Sequence, residues 1–376
     1  KTPQANQDSN GIGDFYYAPP TGFLALCTSN LPSVDVIPSE HFNTVLYTGN
    51  GSARSINTGL PTDLVWIKSR NAGLYHLLTD KVRGVTHTLS SNTTDNEAFA
   101  SEDVLTSFDS DGFSLTADDS SGYFGWNVNG QTYVAWNWKA GGSASSNTNG
   151  TITASVSANP SAGFSIIGYT GNSTANATIG TGLNSKSEMV IIKNRTEDSA
   201  TDSWPVWHKD IGTGKYLKLN ATSAAATSSI WNDGGFTNDV ISVSNWNGIN
   251  KTGTTYIGYA FHSVESYSLV GSYVGNGSAD GTFVHCGFRP AFVMYKQADG
   301  AAANWEIIDN TRNDYNVANA RLFPSLSNAE SAGETPMDLL SNGFKTRATY
   351  NGSNSSGLTY IFLAFAESPF KFSNAR

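Results

Sequence analysis

One passage recurs three times along the 376 residues, and that repetition constrains the fold more than any other feature. Each copy opens on a Tyr-x-Gly-Asn type segment, at Tyr47, Tyr169 and Tyr273. Each then runs into an apolar stretch ending in lysine: Leu64 to Lys68, Met189 to Lys193, Phe292 to Lys296. An aromatic-to-aspartate stretch follows, ending at Asp80, Asp210 and Asp309, and then a Gly-Phe step at Gly112, Gly235 and Gly343. A Thr-Tyr-initiated apolar run closes each copy, from Thr132, Thr255 and Thr359. The opening tyrosines stand 122 and 104 residues apart, so each unit is domain-sized and not a solenoid repeat of roughly 20–50 residues.

Within each unit the period is two. Short runs rich in β-branched and aromatic residues, bounded by Asn, Gly, Asp and Ser, are strand chemistry. Wholly apolar runs such as Met189 to Ile192 predict strands buried on both faces. The expected fold is all-β: three tandem related β-sandwiches, jelly-roll or concanavalin-like, after an N-terminal strand-plus-linker segment. Asn92 to Val104 and Val317 to Leu322 are the best helix candidates, though neither sustains an apolar period of 3.6. The boundaries expected are 1–41 for the N-terminal segment, 42–140 for the first sandwich, 141–163 for a linker with a strand-like run, and 164–266 and 267–376 for the others. Gly141 to Gly150 has the composition of a flexible linker, so the first unit is expected to pivot while the second and third pack rigidly. Gly22 to Cys27 is the one strand-like run of the N-terminal segment. The Asn-Gly pairs at Asn50-Gly51 and Asn276-Gly277 predict hairpin turns.

Charge narrows the function. Charged residues make up 14% of the chain against roughly 25% in a typical domain. A net charge of -9 argues against nucleic-acid partners, which are held largely by Lys and Arg. No window of about 18 apolar residues is present to span a bilayer as a helix, so no membrane insertion is expected. Two cysteines, Cys27 and Cys286, are too few for a disulfide framework. Nucleophile-elbow, zincin and phosphate-loop motifs are absent, and Glu306 and Asp309 would point to opposite faces of a strand, which does not suit a glycosidase pair. No catalytic residue and no cofactor is expected. A weak calcium candidate is Asp109 with Asp111, whose loop lacks the position-12 glutamate of an EF-hand, Ser120 standing there. The recurring aspartates are read as turn scaffolds before ligand contacts.

Tryptophan supplies the one positive chemical signal. Sugar sites pair an aromatic face with amide and carboxylate hydrogen bonds, and two loops carry both: Trp231-Asn232-Asp233 and Asn245-Trp246-Asn247. Trp136 and Trp138 share one strand face and are expected to pack inward.

As a set, Tyr47 to Gly51, Leu64 to Lys68, Asp111 to Phe113, Tyr133 to Gly142, Lys215 to Leu217, Ile230 to Asp233 and the ending Phe365 to Arg376 resemble the repeated β-domain of tailed-bacteriophage virion proteins, the marine type above all. The resemblance covers residues 15–376. It implies a virion structural protein exposed on the particle: a tail fibre, a head fibre or a capsid-decorating appendage. Implied partners are other virion proteins and a homo-oligomer, with a trimer expected from fibre-like relatives. It also implies a preceding lectin-like domain, so the chain is expected to be the C-terminal portion of a longer protein. A host-surface glycan adhesin is the alternative, and a glycan depolymerase a remote one.

Overall fold

The computed structural model describes residues 2–30, 36–97, 104–118, 122–197 and 203–367. The first unit holds β1 (Phe42–Thr48), β2 (Arg54–Asn57), β3 (Leu64–Ser69), β4 (Leu77–Asp80), β5 (Leu105–Phe108), β6 (Gly112–Leu115) and β7 (Thr132–Trp138). The connection onward contains β8 (Ser145–Asn147) and β9 (Ala154–Asn159). The second unit holds β10 (Phe164–Thr170), β11 (Ala177–Gly180), β12 (Met189–Asn194), β13 (Pro205–His208), β14 (Lys215–Lys218), β15 (Ala226–Thr227), β16 (Val240–Val243) and β17 (Thr255–Phe261). The third holds β18 (Ser268–Val274), β19 (Phe283–His285), β20 (Pro290–Gln297), β21 (Trp305–Asp309), β22 (Met337–Leu340), β23 (Gly343–Thr346) and β24 (Thr359–Ala366).

The fold is all-β, and the three units share one topology. Each has a larger antiparallel sheet, ordered β1-β7-β3-β4, β10-β17-β12-β13 and β18-β24-β20-β21, facing a smaller one, β2-β6-β5, β11-β16 and β19-β23-β22. Alternation along the strands explains the fully apolar runs. Val65, Ile67, Tyr133 and Ala135 face the small sheet of their own unit, while Leu64, Trp66, Val134, Trp136 and Trp138 face the other way. That second face joins its counterparts, among them Met189, Ile191, Tyr259 and Phe261 of the second unit and Phe292, Met294, Leu363 and Phe365 of the third, in one central core. Each sandwich therefore has its own interior, and all three close on a fourth core between them.

Several sequence expectations need correction. The first unit does not pivot, because Trp66, Trp136 and Trp138 are buried in the shared core. The Gly- and Ser-rich stretch after it is not a free linker. There β8 pairs with β9 and β9 with β10, extending the second large sheet, and Gly141 donates its N–H to Ser157 Oγ at 3.0 Å. Small polar residues suit an edge strand as well as a tether. Gly22 to Cys27 forms no strand. Residues 2–30 wrap instead around the Asp8 carboxylate, which accepts from the N–H groups of Asn10, Ile12 and Ala25 and from Asn30 Nδ2. Neither helix candidate is helical where it is described: Ala318 and Leu322 bridge to Met337 and Ile307, and residues 98–103 of the other lie outside the described residues.

The Asn-Gly turns are not hairpins. β1 and β2 belong to opposite sheets, so the segment between them is a corner. A buried asparagine fixes each corner: Asn127 Nδ2 donates to Asn50 Oδ1 at 3.0 Å and to Ser52 O at 2.7 Å, and Asn354 Nδ2 to Asn276 Oδ1 at 2.9 Å and to Ser278 O at 2.7 Å. Gly51 and Gly277 supply the positive φ, at 71° and 69°.

Candidate functional site

Strand register fixes which residues are equivalent between units. Leu64 lies opposite Asp80, Met189 opposite His208 and Phe292 opposite Asp309. The third member of the recurring aspartate set is therefore His208. Asp210 sits two residues beyond the aligned position, half-buried near Lys209.

Asp80 and Asp309 are the centres of two matching clasps between units. Asp80 Oδ2 accepts from Arg83 Nε at 2.5 Å and from Tyr259 Oη of the second unit at 2.9 Å. Asp309 Oδ2 accepts from Arg312 Nε at 2.6 Å and from Trp136 Nε1 of the first unit at 3.0 Å. Tyr259 and Trp136 occupy the same position of β17 and β7. Each arginine continues to a glutamate, Arg83 to Glu97 and Arg312 to Glu330, both at 3.1 Å. The glutamates in turn pair with Arg195 at 2.8 Å and Arg70 at 3.0 Å. At the interface of the second unit with the third, the matching residues are His208, Ile211, Ala225, Ala298 and Leu363, and no ion pair forms among them.

Backbone contacts follow the same cyclic order at all three interfaces. Glu97 N donates to Arg195 O at 3.1 Å, Ala225 N to Ala298 O at 2.8 Å and Glu330 N to Arg70 O at 2.7 Å. Trp204 Nε1 donates to Ser90 O at 3.0 Å, and Trp305 Nε1 to Lys218 O at 2.9 Å. Two of the landmark lysines, Lys193 and Lys296, reach across to a neighbouring unit, while Lys68 bonds within its own. All three are fully buried. Lys193 Nζ reaches Thr94 O of the first unit at 2.8 Å, Lys296 Nζ reaches Thr222 O of the second at 3.2 Å, and Lys68 Nζ reaches Ala72 O at 3.2 Å. Burial, reinforced by Arg312, lowers Lys68 to about 7, and burial lowers Lys296 to about 8. Burial likewise lowers His208 to about 4, so it is neutral. The Asp-x-x-Arg spacing at Asp80-Arg83 and Asp309-Arg312 was the sequence signal for the clasps.

Several other polar residues also have fixed partners. Glu306 faces the interior of the third sandwich, opposite to Asp309, and accepts from Tyr295 Oη and Tyr350 Oη at 2.6 Å each. Burial raises its pKa despite the nearby Arg321. Asp109 accepts from Ser107 Oγ at 2.6 Å and Ser114 Oγ at 2.7 Å, and Asp111 from Asn57 Nδ2 at 2.8 Å. Asp109 thereby holds the β5–β6 turn, and Asp111 ties it to β2. Among the described residues no cluster of three or more His, Cys, Asp or Glu side chains could hold a metal ion.

The tryptophan loops separate. Trp231 is 2% exposed, bridges Val243 and packs against Phe236, so it fills the core of the second unit and presents no face to a sugar. Asn232 Nδ2 donates to Ser242 Oγ at 3.1 Å. Trp246 is half-buried, its indole over Gly248, at the start of the four-residue helix Asn247–Asn250. With exposed Asn245 and Asn247 and with Ser228, Ser229 and Ser244, it lines an open cleft of about 400 Å³. Asp233 lines a different cleft, of about 460 Å³, beside Trp207. The six residues therefore do not form one site.

A family model described as a domain of unknown function, DUF7483, matches residues 37–369. The chain belongs to that family. The DUF7483 match runs through all three units, as expected of sandwiches that share a core. No curated protein and no solved structure matches the chain.

Proposed function

We propose that the chain is a structural protein of a tailed-bacteriophage virion, exposed on the particle as a tail fibre, head fibre or capsid-decorating appendage, and that it acts by protein–protein packing. The observation that supports this most is the closed ring of three sandwiches around a common core. Its strongest ionic groups are used inside, between units, and leave a surface dominated by Ser, Thr, Asn and Gly. Such a surface packs against others of its kind at small desolvation cost. The partners proposed are other virion proteins and further copies of the chain. Mass spectrometry and cryo-electron microscopy of purified particles test the assignment: absence of the chain from the particle refutes it. Sedimentation of the purified protein at 40.0 kDa would refute the homo-oligomer.

Attachment to a host-surface glycan is the second reading. The cleft with Trp246, Asn245 and Asn247 favours it, because an indole there adjoins amides and hydroxyls open to solvent. Unchanged adsorption of particles carrying Trp246→Ala would remove that cleft from the reading.

A further inference from the structure

The chain contains a strand-like run without a sheet, and its fold contains a sheet edge without a neighbour. Gly22 to Cys27 has strand composition and forms no strand. Its side chains stand in solvent: Phe23 is 68% exposed, Leu24 45%, and Leu26 is wholly exposed. Clustered exposed apolar side chains mark interaction sites. Its backbone is held at one residue and free at those beside it. Ala25 N donates to Asp8 Oδ2 at 2.7 Å and Ala25 O accepts from Asn30 Nδ2 at 2.8 Å, whereas Leu24 and Leu26 make no hydrogen bond among the described residues. Along a strand, alternate residues send their N–H and C=O groups to opposite edges. Drawn out as a strand, the run keeps Ala25 on Asp8 and turns Leu24 and Leu26 to the other edge. Within one copy, the hydrogen bonds that residues 2–30 make among the described residues stay inside that segment.

The open edge is β18 of the third unit, and the second unit shows how its equivalent is covered. There β9 lies along β10, and Ile152 bridges to Ile179 of β11. Residues 139–163 supply that cover, with Ile152, Ala154 and Val156 turned into the second core. Between the second and third units only residues 262–267 intervene, too short a stretch to do the same. They cover the start of β18 alone: Val264 and Ser268 exchange N–H to C=O bonds at 3.0 and 2.9 Å, and Val270 N donates to Ser263 Oγ at 3.0 Å. Ala366 N bonds to Tyr267 O and Gly275 N to Leu358 O, so the odd-numbered residues of β18 face β24 and the even-numbered ones face outward. Ser272 N–H and C=O and the Val274 N–H therefore have no partner among the described residues. Val274 there is 55% exposed and Phe283 of β19 44%, where the first unit has Thr48 and Ser55. An edge with free N–H and C=O groups is a template for another chain, and apolar side chains beside it supply the contact.

We propose that Gly22 to Cys27 of one copy adds as a strand to β18 of a second copy, with Leu24 and Leu26 pairing along Ser272 and Val274. Two free residues of the donor meet two of the acceptor, and the leucines come to lie beside Val274. The contact joins unlike surfaces, so each copy offers one donor and one acceptor. The inference rests on the reading that copies of the chain pack together, and not on where a particle carries them. Sedimentation velocity of the full chain from about 1 μM to 1 mM tests it. The parent should self-associate as concentration rises. Leu26→Asp and Val274→Lys should each be monomeric throughout. Both side chains are exposed, so neither substitution disturbs the fold, and an unchanged urea midpoint checks that. An equimolar mixture of the two variants decides the pairing, because it restores one intact donor and one intact acceptor: a dimer and nothing larger is expected. A mixture that stays monomeric overturns the proposal. So does Leu26→Asp associating as the parent does, the result that pairing of β18 with β18 would give. A parent that is monomeric at every concentration overturns the proposal and the homo-oligomer together, whereas association that survives both substitutions overturns the proposal alone.

Discussion

Removing the Asp309 carboxylate tests whether the clasps hold the ring together. In Asp309→Ala, Arg312 loses the acceptor of its Nε, and Trp136 Nε1 loses its only acceptor among the described contacts. The guanidinium stays fully buried with Glu330 and Ile307 O as remaining partners. Breaking a buried pair from one side costs about 3–5 kcal/mol, because the other charge is left behind. For a chain of this size that lowers the urea midpoint by about 1 M, given a slope of roughly 3 kcal/mol per molar or somewhat more. The molecule also contains its own remedy. Its second-to-third interface has His208 and Ile211 at the matching positions, so Asp309→His with Arg312→Ile transplants an arrangement the fold already tolerates. Glu330 keeps Arg70 at 3.0 Å in that double variant. Replacing a buried pair altogether is often near neutral, so the double variant should lie within about 2 kcal/mol of the parent and clearly above the single one. Equilibrium urea denaturation followed by tryptophan fluorescence measures both. A loss below about 1 kcal/mol for Asp309→Ala, or a double variant no more stable than the single, would refute the reasoning.

Stability should rise from pH 5 to pH 9. On the acid side, burial pushes Glu97 and Glu330 up, but their arginines hold both below the usual range, so their contribution is lost as pH falls through the folded values; His208, at about 4, adds to the loss because only the unfolded chain takes up its proton between about 6.5 and 4. On the alkaline side, Lys68 at about 7 and Lys296 at about 8 are neutral in the folded chain while still charged when unfolded, so stability climbs to about pH 9; above that, Cys286 and the buried tyrosines, held protonated in the fold, ionise in the unfolded chain and reverse the trend, and a urea midpoint that peaks near pH 5 contradicts this. Trp231→Ala should cost about 3–5 kcal/mol as a core cavity and Trp246→Ala less than half of that, which thermal melts will separate. Limited proteolysis should spare β8 and β9, since β9 pairs with β10 and β8 with β9; early cleavage within these strands would show a tether instead. Calcium should leave the melting temperature of the parent and of Asp109→Ala unchanged, because both Asp109 oxygens already accept from serine hydroxyls.

The threefold repeat and the strand runs were legible because burial on both faces writes an unbroken apolar word, as in Met189 to Ile192. What the word could not say was which second surface covered it. Trp66 and Trp136 look the same whether they face a partner subunit or, as found, the neighbouring units of their own chain. Landmark matching failed at Asp210 because spacing slipped by two residues, and only the pairing of Met189 with His208 reveals the true equivalent. Trp231 was misread for a related reason. Its neighbours Asn232 and Asp233 mark a turn, yet the bridge from Trp231 to Val243 carries the indole inward.

The contact of Arg70 with Glu330 joins residues 260 positions apart. During synthesis at roughly 5–20 residues per second, the first unit would wait roughly 13–52 s after Arg70 leaves the ribosome before its last neighbour exists. Once made, Trp136 and Trp138 have no third wall for the rest of that interval. A nascent chain in this state is a target for chaperones and for pairing with other nascent copies, so the burden of this architecture falls on its birth more than on its mature form.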